Sequence, residues 1–266
     1  MTKLRILITN DDGIYAPGIR HLWRAVAPIA DVIVCAPTVE QSASGLAITI
    51  RNPLQISEAH WGEGIKAWSV NGTPADCVKI ALHALMDSPP DLVVSGINRG
   101  TNAGRNLLYS GTVAGAIEAV LHDIPAIAFS CCDFFNPDYS IAEKHVPLIV
   151  EYILTHPLPQ GGLLNVNFPT LKSGEMQGFK LTRQGKEYWA EDPDARNHPV
   201  EGSTYYWLGG KHLAFDEHED SDIVWLKKGY ATAVPIQISE LTDHPTLQKQ
   251  RSIFEEMCSN QNVCCP

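Results

Sequence analysis

The sequence lacks the short motifs that mark the commonest nucleotide-binding and hydrolytic folds. No G-x-x-x-x-G-K-[ST] segment occurs, which excludes a P-loop, and no G-x-G-x-x-G segment occurs, which excludes the dinucleotide fingerprint. A G-x-S-x-G nucleophile elbow is absent as well. The seven cysteines include two vicinal pairs and no C-x-x-C, so they indicate neither a disulfide framework nor a zinc site.

Positive charge and long apolar runs are also scarce. The chain has 20 Lys and Arg against 30 Asp and Glu, and its net charge of -10 argues against a general nucleic-acid binder, which needs a basic face. That charge still permits one small anion in a locally positive or metal-loaded pocket. No run approaches the ~18 apolar residues that span a membrane, so no membrane partner is expected. The odd cysteine count and the absence of a signal sequence predict a cytoplasmic location.

Strand-like and helix-like segments alternate regularly in the first part of the chain. LRILIT, DVIVCAP, DLVVSGIN and PAIAFS are typical of buried strands, and segments with helical spacing of apolar residues separate them. This order implies βαβ crossovers. We therefore expect an α/β core over residues 1–170, with a mostly parallel sheet covered by helices on both faces. A further core strand is predicted at 49–56.

The pattern changes over residues 171–266. Aromatic, strand-like segments separated by glycine and acidic turns predict a β-hairpin-rich extension, with strands at 203–215, 221–230 and 231–238. A final helix is predicted at 246–257. The extension is long for a compact domain, so we expect it to pack against another subunit.

Three polar loops follow predicted strands of the core. The first carries Asp11 and Asp12, the second Ser42 and Ser44, and the third, GINRGTNAG, carries two asparagines, Asn98 and Asn102. Ligands of an open parallel sheet bind at the carboxyl ends of its strands, so these loops should share one edge. Carboxylate, hydroxyl and amide oxygens suit Mg²⁺ or Mn²⁺ better than zinc. The alternative is that Asp-Gly is an ordinary turn, which Asp12 caps.

The segment Ser110, Gly111 and Thr112 begins a predicted helix with small side chains. Free N–H groups and the positive end of the helix dipole favour an anion such as phosphate. The alternative is an ordinary Ser/Thr N-cap. A phosphate between a cation and a helix N-terminus is arranged for phosphoryl chemistry, which points to a phosphohydrolase.

Two further groups of residues carry weaker signals. Aromatic residues at strand spacing could stack a base, but they more often fill a core or an interface, which we favour here. The ten histidines show no ligand spacing, although His244 could reach the site across a subunit interface. The aromatic residues concerned are Trp189, Tyr205, Tyr206 and Trp207.

Several blocks in order carry a family resemblance. TNDDGIYAPGI, APTVEQSASGLAIT, NGTPADCV, VVSGINRGTNAG and YSGTVAGA together resemble the SurE family, and the later LLNVNFP and TRQGKEYW extend the match over most of the chain. The resemblance implies a Rossmann-like three-layer α/β core and a metal-dependent phosphatase of nucleoside 5′-monophosphates. It also implies action on 3′-nucleotides in many members and on short polyphosphate in some. Homodimers or homotetramers formed through the C-terminal region are expected.

The resemblance assigns roles residue by residue. It implies one Mg²⁺ or Mn²⁺ per subunit held by Asp11, Asp12, Ser42 and Asn98, and so selects Ser42 over Ser44. The implied phosphate pocket comprises Asn102, Ser110, Gly111 and Thr112. Asp11 is the candidate catalytic residue, as the base for water or as the nucleophile. This chain departs from the family pattern at Thr38 and Val39, which replace an Asp-Arg pair, so its affinity or substrate range could differ.

Three alternative functions follow from the same residues. A signalling receiver domain also places acidic residues after its first strand, but the strand ends SGIN and FSCCD lack the lysine it requires, and the chain is much longer. A non-catalytic nucleotide-binding scaffold conflicts with the intact set of metal-site residues. No motif distinguishes a nucleotidase from a phosphatase of polyphosphate or of another small phosphoester, because residues that contact a base have no recognisable pattern.

Overall fold

The computed structural model describes residues 3–171 and 175–259, which form eleven strands and six α-helices. The strands are β1 (Leu4–Thr9), β2 (Ala30–Pro37), β3 (Ile56–Glu58), β4 (Lys66–Val70), β5 (Leu92–Arg99), β6 (Ala126–Cys131), β7 (Gly162–Phe168), β8 (Phe179–Leu181), β9 (Tyr188–Asn197), β10 (Thr204–Leu213) and β11 (Ala231–Gln237). The helices are α1 (Pro17–Val26), α2 (Pro74–Ile80), α3 (Gly111–Leu121), α4 (Tyr139–Thr155), α5 (Asp222–Lys227) and α6 (His244–Ser259).

Nine strands form one sheet in the order β3-β4-β2-β1-β5-β6-β7-β11-β8. Most neighbours pair in parallel, whereas β3 with β4 and β11 with β7 are antiparallel. The predicted α/β fold class with a mostly parallel sheet is therefore confirmed. The sheet order reverses direction around β1, and the ends of β1 and β5 lie side by side at that point.

Two apolar cores, one on each face of the sheet, explain the three layers. Successive residues of a strand point to opposite faces. Ile6 and Ile8 of β1 therefore pack with α1 and α4, whereas Leu7 packs with α2 and α3. All three side chains are fully buried, which accounts for the continuous apolar run in the sequence.

The second half of the chain divides between the main sheet and a separate hairpin. Among the strands that the structure describes, β9 and β10 pair only with each other, in antiparallel register from Tyr188↔Leu213 to Asn197↔Thr204. Strands β8 and β11 return to the edge of the nine-stranded sheet. The predicted β-hairpin-rich extension is thus present, and β11 agrees with the strand predicted at 231–238.

Two strand predictions were wrong. Residues 49–55 form no strand, and only the short β3 follows them, because Pro53 cannot donate to a ladder. The segment predicted as a strand at 221–230 contains α5. Ser221 caps this helix by accepting from the Val224 N–H at 3.3 Å, and Gly229 follows it with φ +83°. These are ordinary start and stop signals of a helix.

The final helix, α6, agrees with the prediction at 246–257 and has no buried residue. Within the described ranges, no helix has the length and apolar character needed to cross a bilayer. The cysteines that the structure describes, which are Cys35, Cys77, Cys131, Cys132 and Cys258, are all free thiols.

Candidate active site

The turn after β1 is closed by an asparagine. The Asn10 side chain donates from Nδ2 to the Gly13 carbonyl at 3.0 Å and accepts from the Gly13 N–H at 3.2 Å. Gly13 has φ +102°, which glycine adopts without steric cost. Asn10 therefore performs the capping function that the alternative interpretation gave to Asp12, and neither carboxylate is used to close the turn.

Asp11 is buried against the start of α3. Thr112 donates its hydroxyl to the Asp11 carboxylate. A Cβ on Gly111 would lie 2.7 Å from the Asp11 Cβ, so glycine allows this close approach. Burial raises the pKa of Asp11 above its usual value, against the lowering effect of the Thr112 hydrogen bond. The N-terminus of α3 is thus directed at a desolvated carboxylate.

Asp12 lies beside Asp11 and is partly buried. It accepts from the backbone N–H of Arg99 at 2.9 Å, while the Arg99 side chain pairs with Glu40 at 3.3 Å. Burial raises the pKa of Asp12 to about 7, and the charge of Asp11 adds to this rise. Two adjacent carboxylates with raised pKa values form a site that a divalent cation would stabilise in its charged state.

Ser42 lies in the loop after β2 and Asn98 lies near the end of β5, and both residues line the same cavity as Asp11. Asn98 donates from Nδ2 to the Gly100 carbonyl at 2.9 Å, which leaves its Oδ1 to act as an acceptor or ligand. Ser42 donates its hydroxyl to Glu40 Oε1 at 2.6 Å, which leaves the lone pairs of its oxygen available. Asp11, Ser42 and Asn98 line one cavity of about 380 Å³. Ser44 does not line this cavity, and its side chain packs against Gly111.

The phosphate-site candidates divide into two groups. Asn102 and Ser110 line the cavity, whereas Gly111 and Thr112 begin α3 behind it. Ser110 caps α3 by accepting from the Val113 N–H at 3.1 Å, as the alternative interpretation expects. Asn102 is buried and donates from Nδ2 to Ser130 Oγ at 2.7 Å. The capping role of Ser110 does not remove it from the cavity wall.

The lining of the cavity includes residues that sequence reasoning did not single out. Asn106 and Tyr109 belong to a 3₁₀ turn, Gly104–Tyr109, between the two phosphate-site segments, and Leu208 comes from the hairpin. Asn106 and Tyr109 lie between Asn102 and Ser110 in the sequence, and this position could have indicated that they line the cavity. Trp189 lines the cavity, while Tyr205, Tyr206 and Trp207 do not.

The remaining candidate lies elsewhere in this subunit. His244 begins α6 and pairs with Glu240 at 3.1 Å. Across residues 3–171 and 175–259, no cluster of three or more His, Cys, Asp or Glu side chains is suited to a metal ion. A cation at the Asp11–Asp12 pair would therefore need hydroxyl and amide ligands as well, and Ser42 and Asn98 can provide them.

Fold and site together define a class of α/β protein with an oxygen-rich cavity at the carboxyl edge of a parallel sheet, beside a helix N-terminus. The family model described as Survival protein SurE matches residues 6–191. The chain belongs to the SurE family.

Curated relatives and a solved structure match nearly the full length. The 5′-nucleotidase SurE of Protochlamydia amoebophila is 54% identical over 255 residues, which cover 96% of this chain and 98% of the relative. The 5′-nucleotidase SurE of Christiangramia forsetii is 46% identical, with 91% and 94% covered. The crystal structure of the SurE protein from Aquifex aeolicus superposes with a TM-score of 0.80 at 34% identity, over 94% of this chain and 99% of that one.

Proposed function

We propose that this chain hydrolyses nucleoside 5′-monophosphates to nucleoside and phosphate. The observation that carries the proposal is the cavity in which Asp11, Ser42 and Asn98 meet Ser110 at the start of α3. Full-length relatives with the name 5′-nucleotidase support the same activity. Hydrolysis of 3′-nucleotides is a second expected activity of the same site.

The donor set fits one divalent cation per subunit, Mg²⁺ or Mn²⁺. Asp11, Asp12, Ser42 and Asn98 would hold it, since all four offer oxygen and the two acids lie together in a partly desolvated place. When bound, such an ion supplies charge stabilisation to the phosphoryl oxygens in the transition state.

The chain's own residues supply positioning and proton transfer. Asp11 serves either as the base that takes a proton from the attacking water, or as the nucleophile, in which case water then hydrolyses the phosphoaspartate that forms. Thr112 holds the Asp11 carboxylate in place through the hydrogen bond from its hydroxyl. Asn102, Ser110 and the N-terminal N–H of Gly111 orient the phosphate, because a helix N-terminus favours an anion. The bond between phosphorus and the ribose oxygen breaks, and that oxygen takes up a proton from water or from protonated Asp11, so that the nucleoside leaves as an alcohol.

The lining of the cavity favours a nucleotide over polyphosphate as the substrate. Tyr109 and Trp189 contribute aromatic surface to the same cavity that Asp11, Asn98 and Ser110 line. A nucleotide has an anionic end and a flat aromatic end, and a base stacks well on such side chains. Polyphosphate has no group that would use this surface.

We propose further that residues 1–170 supply the metal and phosphate ligands and that residues 171–266 join subunits into a homodimer or homotetramer, although Trp189 and Leu208 of the second region also line the cavity. The exposed apolar side chains of this region support the proposal, because large exposed patches mark interaction surfaces. They lie on β10 and α6 and include Tyr206, Trp207, Ile253, Phe254 and Met257. Sedimentation of the purified protein tests it, and a monomer at micromolar concentration would contradict it.

The activity is tested by phosphate release from a panel of 5′- and 3′-nucleoside monophosphates and tripolyphosphate. We expect release from 5′-nucleotides in the presence of Mg²⁺ or Mn²⁺, with tripolyphosphate slower. Faster release from tripolyphosphate than from every nucleotide would assign the site to polyphosphate instead. A folded, metal-loaded protein that binds nucleotides and releases no phosphate would indicate a binding scaffold.

A further inference from the structure

Asp222, at the start of α5, is a fully buried carboxylate outside the cavity. Three backbone N–H groups donate to it, and two of them come from distant segments. Gly104 donates to Oδ2 at 3.0 Å, Gly185 to Oδ1 at 2.8 Å, and Ile223 also to Oδ1 at 2.8 Å. A buried carboxylate is costly unless its oxygens are hydrogen-bonded, so this arrangement is a specific junction between three parts of the chain.

Both peptide groups around Gly104 are bound by residues of the second half of the chain. Its N–H donates to Asp222, its carbonyl accepts from Gln184 Nε2, and the next N–H, of Arg105, donates to the Glu187 carbonyl at 2.9 Å. Gly104 has φ +58°, and a Cβ there would lie 2.2 Å from the Glu187 carbonyl oxygen. The turn is therefore held in direct contact with the 184–187 backbone.

Gly104 lies between the two halves of the phosphate site. It follows Asn102 by two residues and begins the 3₁₀ turn that ends at Tyr109, next to Ser110. Asn106 and Tyr109 of this turn line the cavity. Asn106 is in turn bound to the hairpin, because its Oδ1 accepts from the Trp189 N–H at 3.0 Å. A shift of Gly104 would thus move one wall of the cavity relative to Asp11.

We propose that Asp222 is a positioning residue for the active site, since its buried carboxylate fixes the Gly104–Tyr109 turn against residues 184–187. It touches neither the cavity nor the carboxylate pair, and it acts through the turn. Its effect on turnover rests on the proposed function. Misplacement of a site by about 1 Å costs roughly 100-fold in rate, so loss of this junction should reduce catalysis strongly.

The test compares Asp222→Ala and Asp222→Asn with a neighbour that serves as a control. Ser221→Ala removes the cap of α5, which is the hydrogen bond from Val224, and leaves the Asp222 junction in place. Each folded variant is measured for kcat/KM on a nucleoside 5′-monophosphate, for affinity for inorganic phosphate, and for hydrogen exchange in residues 104–109. Exchange reports local opening of the turn, independently of activity.

For Asp222→Ala we expect kcat/KM to fall about 100-fold, and exchange in residues 104–109 to rise at least about tenfold. Asp222→Asn keeps an acceptor oxygen for one of the two distant N–H groups, so its kcat/KM and its exchange should lie between those of wild type and Asp222→Ala. Ser221→Ala should stay within about twofold of wild type for kcat/KM and for exchange at the turn, even though it loses its helix cap.

The inference is overturned if folded Asp222→Ala keeps the wild-type kcat/KM and the wild-type exchange at the turn. It is also overturned if Ser221→Ala lowers kcat/KM and raises exchange as much as Asp222→Ala does. If Asp222→Ala does not fold, Gln184→Ala removes a different bond to the same turn and should lower kcat/KM about tenfold; wild-type kinetics and exchange in that variant would overturn the inference. A wild type that does not hydrolyse nucleotides refutes the proposed function alone. Exchange at the turn and phosphate affinity then still decide the role of Asp222.

Discussion

The carboxyl edge of the sheet and the β9–β10 hairpin contribute to the same cavity in different ways. At the sheet edge, Asp11 is only 4% exposed and bound by Thr112, and its pKa is raised by burial. On the hairpin, Trp189 and Leu208 are 53% and 74% exposed and present apolar surface to the cavity. Chemistry that depends on charge needs the rigid, desolvated edge, whereas recognition of a flat apolar group needs only an accessible surface.

The difference predicts that substitutions at the edge change the rate and substitutions on the hairpin change substrate preference. An edge variant that changes substrate preference, or a hairpin variant that changes the rate on every substrate equally, would contradict this difference.

The largest effect is expected for Asp11→Asn. Turnover should fall by at least about 10³-fold, because the carboxylate that acts on the phosphoryl group is lost. Melting temperature at pH 7 should stay the same or rise, since a desolvated acid is replaced by a neutral amide that can still accept from Thr112. Steady-state kinetics and thermal unfolding check both expectations. Near-normal turnover in the folded variant would remove Asp11 from its proposed role.

Asp12→Asn should act mainly on the metal. Because the amide can still accept from the Arg99 N–H, the turn should remain intact, while the affinity for Mn²⁺ falls about 100-fold. Calorimetric titration of metal into wild type and variant measures this directly. Equal affinities in the two proteins would show that Asp12 is not a ligand.

Asp222, at the junction between the two regions, predicts a dependence of stability on pH. Burial raises its pKa from a usual 3.8 to about 6 in the folded protein. Between these values the native state holds the proton that the unfolded chain has released, so this group's contribution to stability falls as pH rises from about 4 to about 6. The loss is complete about one unit above the folded-state pKa, near pH 7.

Urea unfolding at pH 4 and pH 7 isolates this contribution when wild type is compared with Asp222→Asn. The decrease in unfolding free energy between the two pH values should be about 2 kcal/mol smaller in the variant. Asp11 and Asp12 titrate in both proteins and cancel in the difference. Identical pH dependence in both proteins would mean that Asp222 is not desolvated in the folded state.

Trp189→Ala is expected to have the smallest effect and to sharpen the comparison most. Loss of a stacked base costs about 1–3 kcal/mol, so KM for a nucleoside 5′-monophosphate should rise at least about fivefold with kcat little changed. Ribose 5-phosphate, which has no base, serves as the matched substrate and should show no change. An equal loss on both substrates would place Trp189 in the support of the site, not in base recognition.

The sequence was a good guide to the edge of the sheet because its signals are local. Buried strands that lead into Asp11, Asn98 and the loop with Ser42 and Ser44 predict that these side chains meet, and the family resemblance selects Ser42. In the structure Asp11, Ser42 and Asn98 line one cavity. Closure of the first turn by Asn10 was not anticipated, since Asn and Asp have similar turn propensities.

The hairpin side of the cavity could not be predicted in the same way. Trp189 reaches the cavity through a contact with Asn106, 83 residues away in sequence, which no local pattern encodes. Short apolar segments are also ambiguous between strand and helix, which explains why α5 was predicted as part of a strand. Ser221 and Gly229, which are typical of the start and the end of a helix, indicate α5 better than its apolar residues do.

Phosphate release from a nucleoside 5′-monophosphate by chelator-treated protein, followed as Mn²⁺ or Mg²⁺ is added back, tests the central claim most directly. The account predicts no release without metal, saturable recovery on its addition, and no recovery in Asp11→Asn. Full release by the metal-free protein, or undiminished recovery in Asp11→Asn, would contradict it.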